Sequence, residues 1–478
     1  MLSVFRVSGL AATLAFVFSL AAVPQISAQS TQAHIYVQSG GNSGPVYGYT
    51  ALSNGQFPAI SGSPFKPGTK IVGGTGSKFF TVGKTLLHSY AVGSNGALGS
   101  QLSQVGFFNY AGGSCGNSAD PVGPQAVLDH TGKTVYVLLQ GGGGQLCTTY
   151  QTYNVNSDGS FTFNGDSQVS VESGGYTTVP SILGNETFAY ADSFLPFNNQ
   201  VIGFRRESSG TLQYTGLVNP TFSGNAGYVS YRPDASPTEN FVVLREVPND
   251  TGYPQLGSFS VGSNGALTST NTSANMPQTN LQVTESAFSP DGVFYAVAGD
   301  NGQNQPGSGL KLYQFNGASP LTLISYTVYD PIDQIAWDTS GHLYAVSTIE
   351  NKLFIYTVLS QGGMVRSATY SIPGPVNLAV VSTAAASCGE STVNAVNVCS
   401  PTENSTVSSP VQINAAANMD GGVYRFELWS GSTKLINVRY SGIMNQPLTL
   451  APGTYHLTFV AVNTIGTKAT ATRDITVK

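Results

Sequence analysis

One short pattern recurs through most of the chain and limits what it can fold into. An aromatic residue is followed six positions later by glycine, and two positions after that by an apolar residue. The copies are Tyr49/Gly55/Phe57, Tyr90/Gly96/Leu98, Tyr153/Gly159/Phe161, Phe204/Gly210/Leu212, Phe259/Gly265/Leu267 and Tyr356/Gly362/Met364, with a looser copy at Tyr313/Gly317/Leu321. Two copies share the string VGSNGAL, at 92–98 and 261–267. Asn-Gly and Asp-Gly between alternating segments mark tight β-hairpins, because a type I′ turn needs positive φ at both central residues. Copies start at 49, 90, 153, 204, 259, 313 and 356, so they lie 41 to 63 residues apart. Four short strands with their turns need about 40 residues, the size of one propeller blade.

The residues around each hairpin complete the unit. A β-rich segment precedes each one: His34–Val37, Phe79–Val82, Val135–Leu139, Phe188–Ala191, Phe241–Leu244, Val293–Val297 and Leu343–Val346. Before most of these lies a further strand ending in a turn, near 69–73, 122–128, 177–183, 227–231, 280–288 and 331–337. With strands lettered a to d in chain order, the repeats begin at a strand b. The missing strand a is supplied by Pro375–Val381 at the far end. Closing the ring this way removes the open edges of a linear array. The expectation is an all-β chain: a seven-bladed β-propeller over 33–382, a linker over 383–396 and a smaller module over 397–478.

Segments such as AFSPDGVFYAVAGDN and AWDTSGHLYAVSTIENKLFIYTV, with SNGQFPAISGSPF in the first blade, resemble the lactonase-like (YVTN-type) β-propellers. The last 80 or so residues alternate in short strands without helical periodicity, which suggests an immunoglobulin-like β-sandwich. The stretch SPTENSTVSSPVQINAAA and the later LAPGTYHLTFVAVNTIGT resemble bacterial Ig-like modules of secreted proteins.

Composition excludes several function classes. Charged residues make up 9% of the chain, against about 25% in an average soluble protein. A net charge of −5 and a pI near 5.5 leave no basic footprint for nucleic acid. The 24 Tyr and 24 Phe are too much apolar mass for general disorder. Residues 1–28 read as a secretory signal, with Arg6 before the apolar run Leu10–Val23 and a small-residue cleavage site at Ile26-Ser27-Ala28. The mature chain is therefore expected outside the cytoplasm, secreted or in the periplasm and cell envelope, with no membrane span. Four cysteines suit disulfides in an oxidising compartment, and the expected pairs are Cys115–Cys147 and Cys388–Cys399. No CxxC pair or His at ligand spacing suggests a metal site, and no cofactor motif occurs.

The longer loops are b–c connections (38–45, 140–147, 192–199, 246–255, 300–309) and one d–a connection (107–121), which all belong to one face of such a ring. Insertions collected on one face mark the binding side of a repeat protein. Asp192, Glu246, Asp300 and Glu350 end the b strands of blades four to seven, and together they form a candidate ligand-binding set. The expected function is binding of an extracellular glycan, peptide or envelope component by this face. The alternative comes from the resemblance: hydrolysis of a lactone of the 6-phosphogluconolactone type. That family carries His, Arg and Glu at the channel mouth. Here its Pro-His element falls at Pro124-Gln125, its Pro-Arg-His element near Gly227-Tyr228 without either charged residue, and its glutamate at Glu246, the one catalytic candidate.

Overall fold

The computed structural model describes residues 31–478 apart from 53–54, 108–124, 141–146, 171–175, 195–199, 249–251, 360–362, 383–393, 410, 420–422, 440–442 and 464. The expected export segment, Cys115 and Cys388 lie outside the described residues, so neither expected disulfide is tested. Every described element is a β-strand.

The first seven sheets are the seven blades. Blades two, three, six and seven are four-stranded with strands in chain order, a to d. Blade four splits its strand a into Tyr176–Thr177 and Ser181–Ile182. Blade five gains a fifth strand, Thr221–Ser223, which runs parallel to its strand d, Leu267–Thr272. Blade one closes the ring as expected: strand b, Thr31–Ser39, lies between strand c, Val46–Leu52, and the late strand Pro375–Ser382. The register from Ala33↔Ser382 to Gln38↔Asn377 is antiparallel. The buried amide of Asn377 donates to Gln38 Oε1 at 3.0 Å, so the two ends of the ring are also joined through side chains.

Seven hydrophobic clusters fill the seven seams between neighbouring blades. Tyr36, Phe79 and Val92 pack between blades one and two. Ala298, Leu312, Trp337 and Phe354 pack between six and seven, and Ile35, Tyr49, Tyr344 and Ile355 close the circle. Both faces of a blade's inner strands are therefore apolar. The outer strands are polar and half exposed.

The repeated glycine has a second role beyond its turn. Gly96, Gly159, Gly210, Gly265 and Gly317 all have positive φ, between +59° and +92°. Each directs its carbonyl at a hydroxyl of the preceding blade. Tyr36, Tyr136 and Tyr190, on strand b of blades one, three and four, donate to Gly96, Gly210 and Gly265 at 2.7, 2.7 and 2.9 Å. Blades two and five carry Phe80 and Val243 on strand b. There the residue directly opposite on strand c supplies the hydroxyl: Ser89 donates to Gly159 and Ser258 to Gly317, both at 2.6 Å.

Outer edges are protected by irregularity. The c–d pairings of blades two, three, four, six and seven each contain a register shift. A bulged, twisted edge is a poor template for a foreign strand.

After the linker the chain forms two sheets over one core. Strands 395–400, 411–418 and 443–448 make one sheet; strands 405–407, 468–477, 453–462, 425–430 and 433–439 make the other. Ile413, Ala415 and Met444 meet Phe426, Leu428, Leu457 and Phe459 between them. Its first strand begins at Ala395, inside the expected linker. The immunoglobulin-like label for this sandwich rests on the sequence pattern alone.

Two outcomes follow. Tyr190→Phe leaves the Gly265 carbonyl buried without its donor, which costs about 1–3 kcal/mol. Urea denaturation should show this loss. Ending the chain at residue 374 removes the closing strand and should give an aggregating or protease-sensitive protein. Ending it at residue 387 should leave a folded ring, and equal behaviour of the two truncations would disprove the closure.

Candidate functional site

The seven a strands line a central channel, and their side chains are unevenly distributed. Blades one, two, three, four and seven contribute Asn377, Lys70, Gln125, Thr178 and Gln334, while blades five and six contribute Arg232, Asp234, Glu285 and Ser286, with Arg245 from the adjoining strand b; Asp129, His130, Lys133 and Glu186 of blades three and four line the cavity at the a–b turns. In a chain with so few charges, this is a marked concentration.

A bulge builds the cluster. Strand a of blade five, Tyr228–Ala235, pairs Tyr231 with Arg245 and Asp234 with Val243, so Arg232 and Pro233 together oppose one residue. Arg232 takes left-handed backbone, φ +51°. Bulges re-aim side chains in this way near functional sites. The Arg232 guanidinium is exposed in the channel and makes no ion pair within 4 Å among the described residues.

The adjoining strand b, Phe241–Pro248, carries Arg245 and Glu246 to opposite sides of blade five. Arg245 is 4% exposed and faces blade six, where it donates to Ser286 Oγ at 2.8 Å; its Nε has no partner. Ser286 in turn donates to Asp234 Oδ2 at 2.5 Å, and Tyr295 of blade six donates to the same oxygen. Glu285 accepts from the Ser286 backbone amide at 3.1 Å. Burial raises the Asp234 carboxyl above its ordinary range, opposed by Arg245, by the two hydroxyl donors and by Arg232. Burial also raises Glu285, and neighbouring Asp234 adds to that rise.

Glu246 faces the other way, toward blade four. It is wholly buried; Ser230 donates to Oε2 at 2.8 Å and Oε1 has no partner. Burial pushes its carboxyl up to about 8, with the Ser230 bond pulling back. Across this seam stands Asp192, on strand b of blade four, Phe188–Phe194. Both its carboxylate oxygens are buried without a side-chain partner, and the Arg232 backbone amide supports the ionised carboxylate. Burial raises it to about 6, opposed by Arg232 and Arg245.

The four acids of the sequence reading therefore separate. Asp192 and Glu246 are buried at the blade four–five seam. Asp300 caps its own loop by accepting from Gly302 at 2.7 Å, and Glu350 pairs with Lys352 at 2.9 Å. No group of three or more acids, His or Cys among the described residues could hold a metal ion. Gly227-Tyr228 carries no charged residue; the bulge brings Arg232 further along the same strand, and Arg245 precedes Glu246 in sequence but faces the other seam. The sequence did carry a signal for Arg245 and Glu246: an Arg-Glu pair inside the apolar run FVVLREV of a chain that otherwise avoids charge.

Glu246 makes stability pH-dependent. Its folded value near 8 exceeds the ordinary 4.5, so the native state holds a proton that the unfolded chain releases between those values. Its contribution is fully present below about pH 4.5 and is lost as pH rises through 8. Glu246→Gln should therefore match wild type in melting temperature at pH 4.5 and exceed it by several degrees at pH 9, since 1 kcal/mol is about 2–4 °C in a domain of this class. A constant difference across that range would contradict the buried, protonated state.

No family model matches the chain, and no curated protein does. Solved structures do. A candidate 6-phosphogluconolactonase from Bacteroides uniformis is 15% identical, with a TM-score of 0.55 over 74% of this chain and 100% of that one. A second, from Bacteroides fragilis, is 14% identical with a TM-score of 0.52, covering 74% of this chain and 98% of that one. A Lactobacillus plantarum protein is also 14% identical with a TM-score of 0.52, covering 74% and 99%. At these identities the likeness is one of fold: the chain contains a β-propeller of the lactonase-like kind.

Proposed function

We propose that this is a binding protein whose ligand is a small polar molecule seated in the propeller channel, against blades four to six. The observation that carries the reading is the cationic lining of the channel there: Arg232, exposed and without an ion pair among the described residues, and Arg245, buried with its Nε unpartnered. Buried polar groups in native proteins are almost always satisfied, so an unpartnered guanidinium nitrogen in a channel wall calls for an explanation. Strands a begin and strands b end at the face of the longer b–c loops, so Glu285, Arg245, Glu246 and Asp192 lie toward that mouth. In this reading the glycan, peptide or envelope component expected at the loop-rich face gives way to a small ligand entering through it. The export reading of residues 1–28 places the encounter outside the cytoplasm.

The test is hydrogen exchange on the purified mature protein with sugars, sugar acids and lactones. Protection of the backbone at 228–235 and 283–288 by any of them supports the reading. Protection confined to loop tips, or none, refutes it.

Lactone hydrolysis is the second reading, and one observation favours it. Two carboxyl groups pushed to about 6 and about 8 stand on facing blades. Environments that separate two such values assign one group as base and the other as acid near neutral pH. Both are closed to solvent, so the binding reading expects no turnover above background. Aldonolactone turnover by the wild type, lost in Glu246→Gln with the fold intact, would make this protein a hydrolase.

A further inference from the structure

We infer that the channel site is built for a carboxylate-bearing ligand, gripped by the Arg232 and Arg245 guanidiniums, and that binding draws in a proton. The inference rests on the channel reading above and names its ligand class.

The geometry sets two cations with unused donors beside one another's acids. Arg232 has no ion-pair partner within 4 Å among the described residues. Arg245 spends one nitrogen on Ser286 and leaves Nε unpartnered while 4% exposed. Arg206 contrasts with these two: it donates from all three nitrogens, to Tyr136, Glu186, Asp129 and Thr134. A planar guanidinium with free donors in a low-dielectric wall matches a carboxylate, which accepts two parallel N–H bonds. Arg232 is held for this purpose on backbone that an unbranched side chain adopts only at a cost, as strained residues at ligand sites are. A neutral polyol would leave both charges unanswered.

The proton follows from what surrounds the arginines. Facing them are Asp192 from blade four, Asp234 from their own blade, and Glu285 and Tyr295 from blade six; Lys70 of blade two lines the same channel. Arg232 and Arg245 support the ionised forms of all three acids. A ligand carboxylate that takes up those guanidiniums withdraws that support and adds a like charge. One of the acids then accepts a proton from solvent. Affinity should rise as pH falls from 8 to 6, the reverse of a site that must ionise to bind.

The experiment is titration calorimetry on the full mature chain with D-gluconate and with its neutral analogue D-glucitol. Each is run in phosphate and in Tris at pH 6.5 and 8. The expected results are gluconate binding about tenfold tighter than glucitol, tighter binding at pH 6.5 than at pH 8, and a heat that differs between buffers with the sign of proton uptake. Arg232→Gln should lose the preference, and Arg232→Lys should recover part of it. Equal affinity for the two probes, or a preference unchanged in Arg232→Gln, overturns the carboxylate inference and leaves channel binding intact. Gluconate preference without any buffer dependence overturns the proton step. Protection of 228–235 by neither probe overturns the channel reading itself.

Discussion

The ring depends on a hydroxyl of one blade reaching the turn glycine of the next. A blade by itself is a small twisted sheet with two apolar faces and no means of fixing its angle to a neighbour. Hydrophobic burial at the seams is strong and non-directional, so it favours contact without setting register. The bond from Tyr36 to Gly96, repeated as Tyr136 to Gly210 and Tyr190 to Gly265, is directional. It crosses five successive seams in one sense, from blade one to blade six. Where strand b lacks the tyrosine, Ser89 and Ser258 preserve it from the opposite strand. The glycine's positive φ is therefore needed twice: it closes the hairpin, and it turns the carbonyl outward toward the donor.

A ring fixed in this way leaves its inner strands free of edge pairing constraints on one side, and there irregularity is tolerated. Blade five uses that freedom. Its bulge at Arg232 breaks the ladder between Tyr231 and Asp234 and projects a guanidinium into the channel. The same blade carries the added outer strand Thr221–Ser223 and the chain's most unusual inner sequence, with Arg245 and Glu246 aimed at opposite seams. Regular seams hold the scaffold still while the charged groups of blades four to six sit in an environment that raises three or four carboxyl groups above their ordinary range. Stability spent there is recovered in the other seams, which are apolar and closed. Preorganised sites are commonly arranged in this way.

The sequence by itself determined the blade count, the order of strands and the closure. Period and turn chemistry are local, and Asn-Gly at a hairpin means the same thing wherever it occurs. Pro375–Val381 could be matched to the ring because only one strand a was missing. The site was only partly legible. Glu246 and Asp192 could be placed at strand ends, but their burial, their opposition across one seam and their separation from Asp300 and Glu350 depend on which face of each strand meets which neighbour. A single bulged residue reverses that assignment for everything beside it. Arg232 was missed for that reason: spacing counts residues, and the bulge changes what a count means. What only the tertiary structure decided is which polar groups lack partners, because hydrogen-bond satisfaction is a property of the assembled interior and no local pattern encodes it.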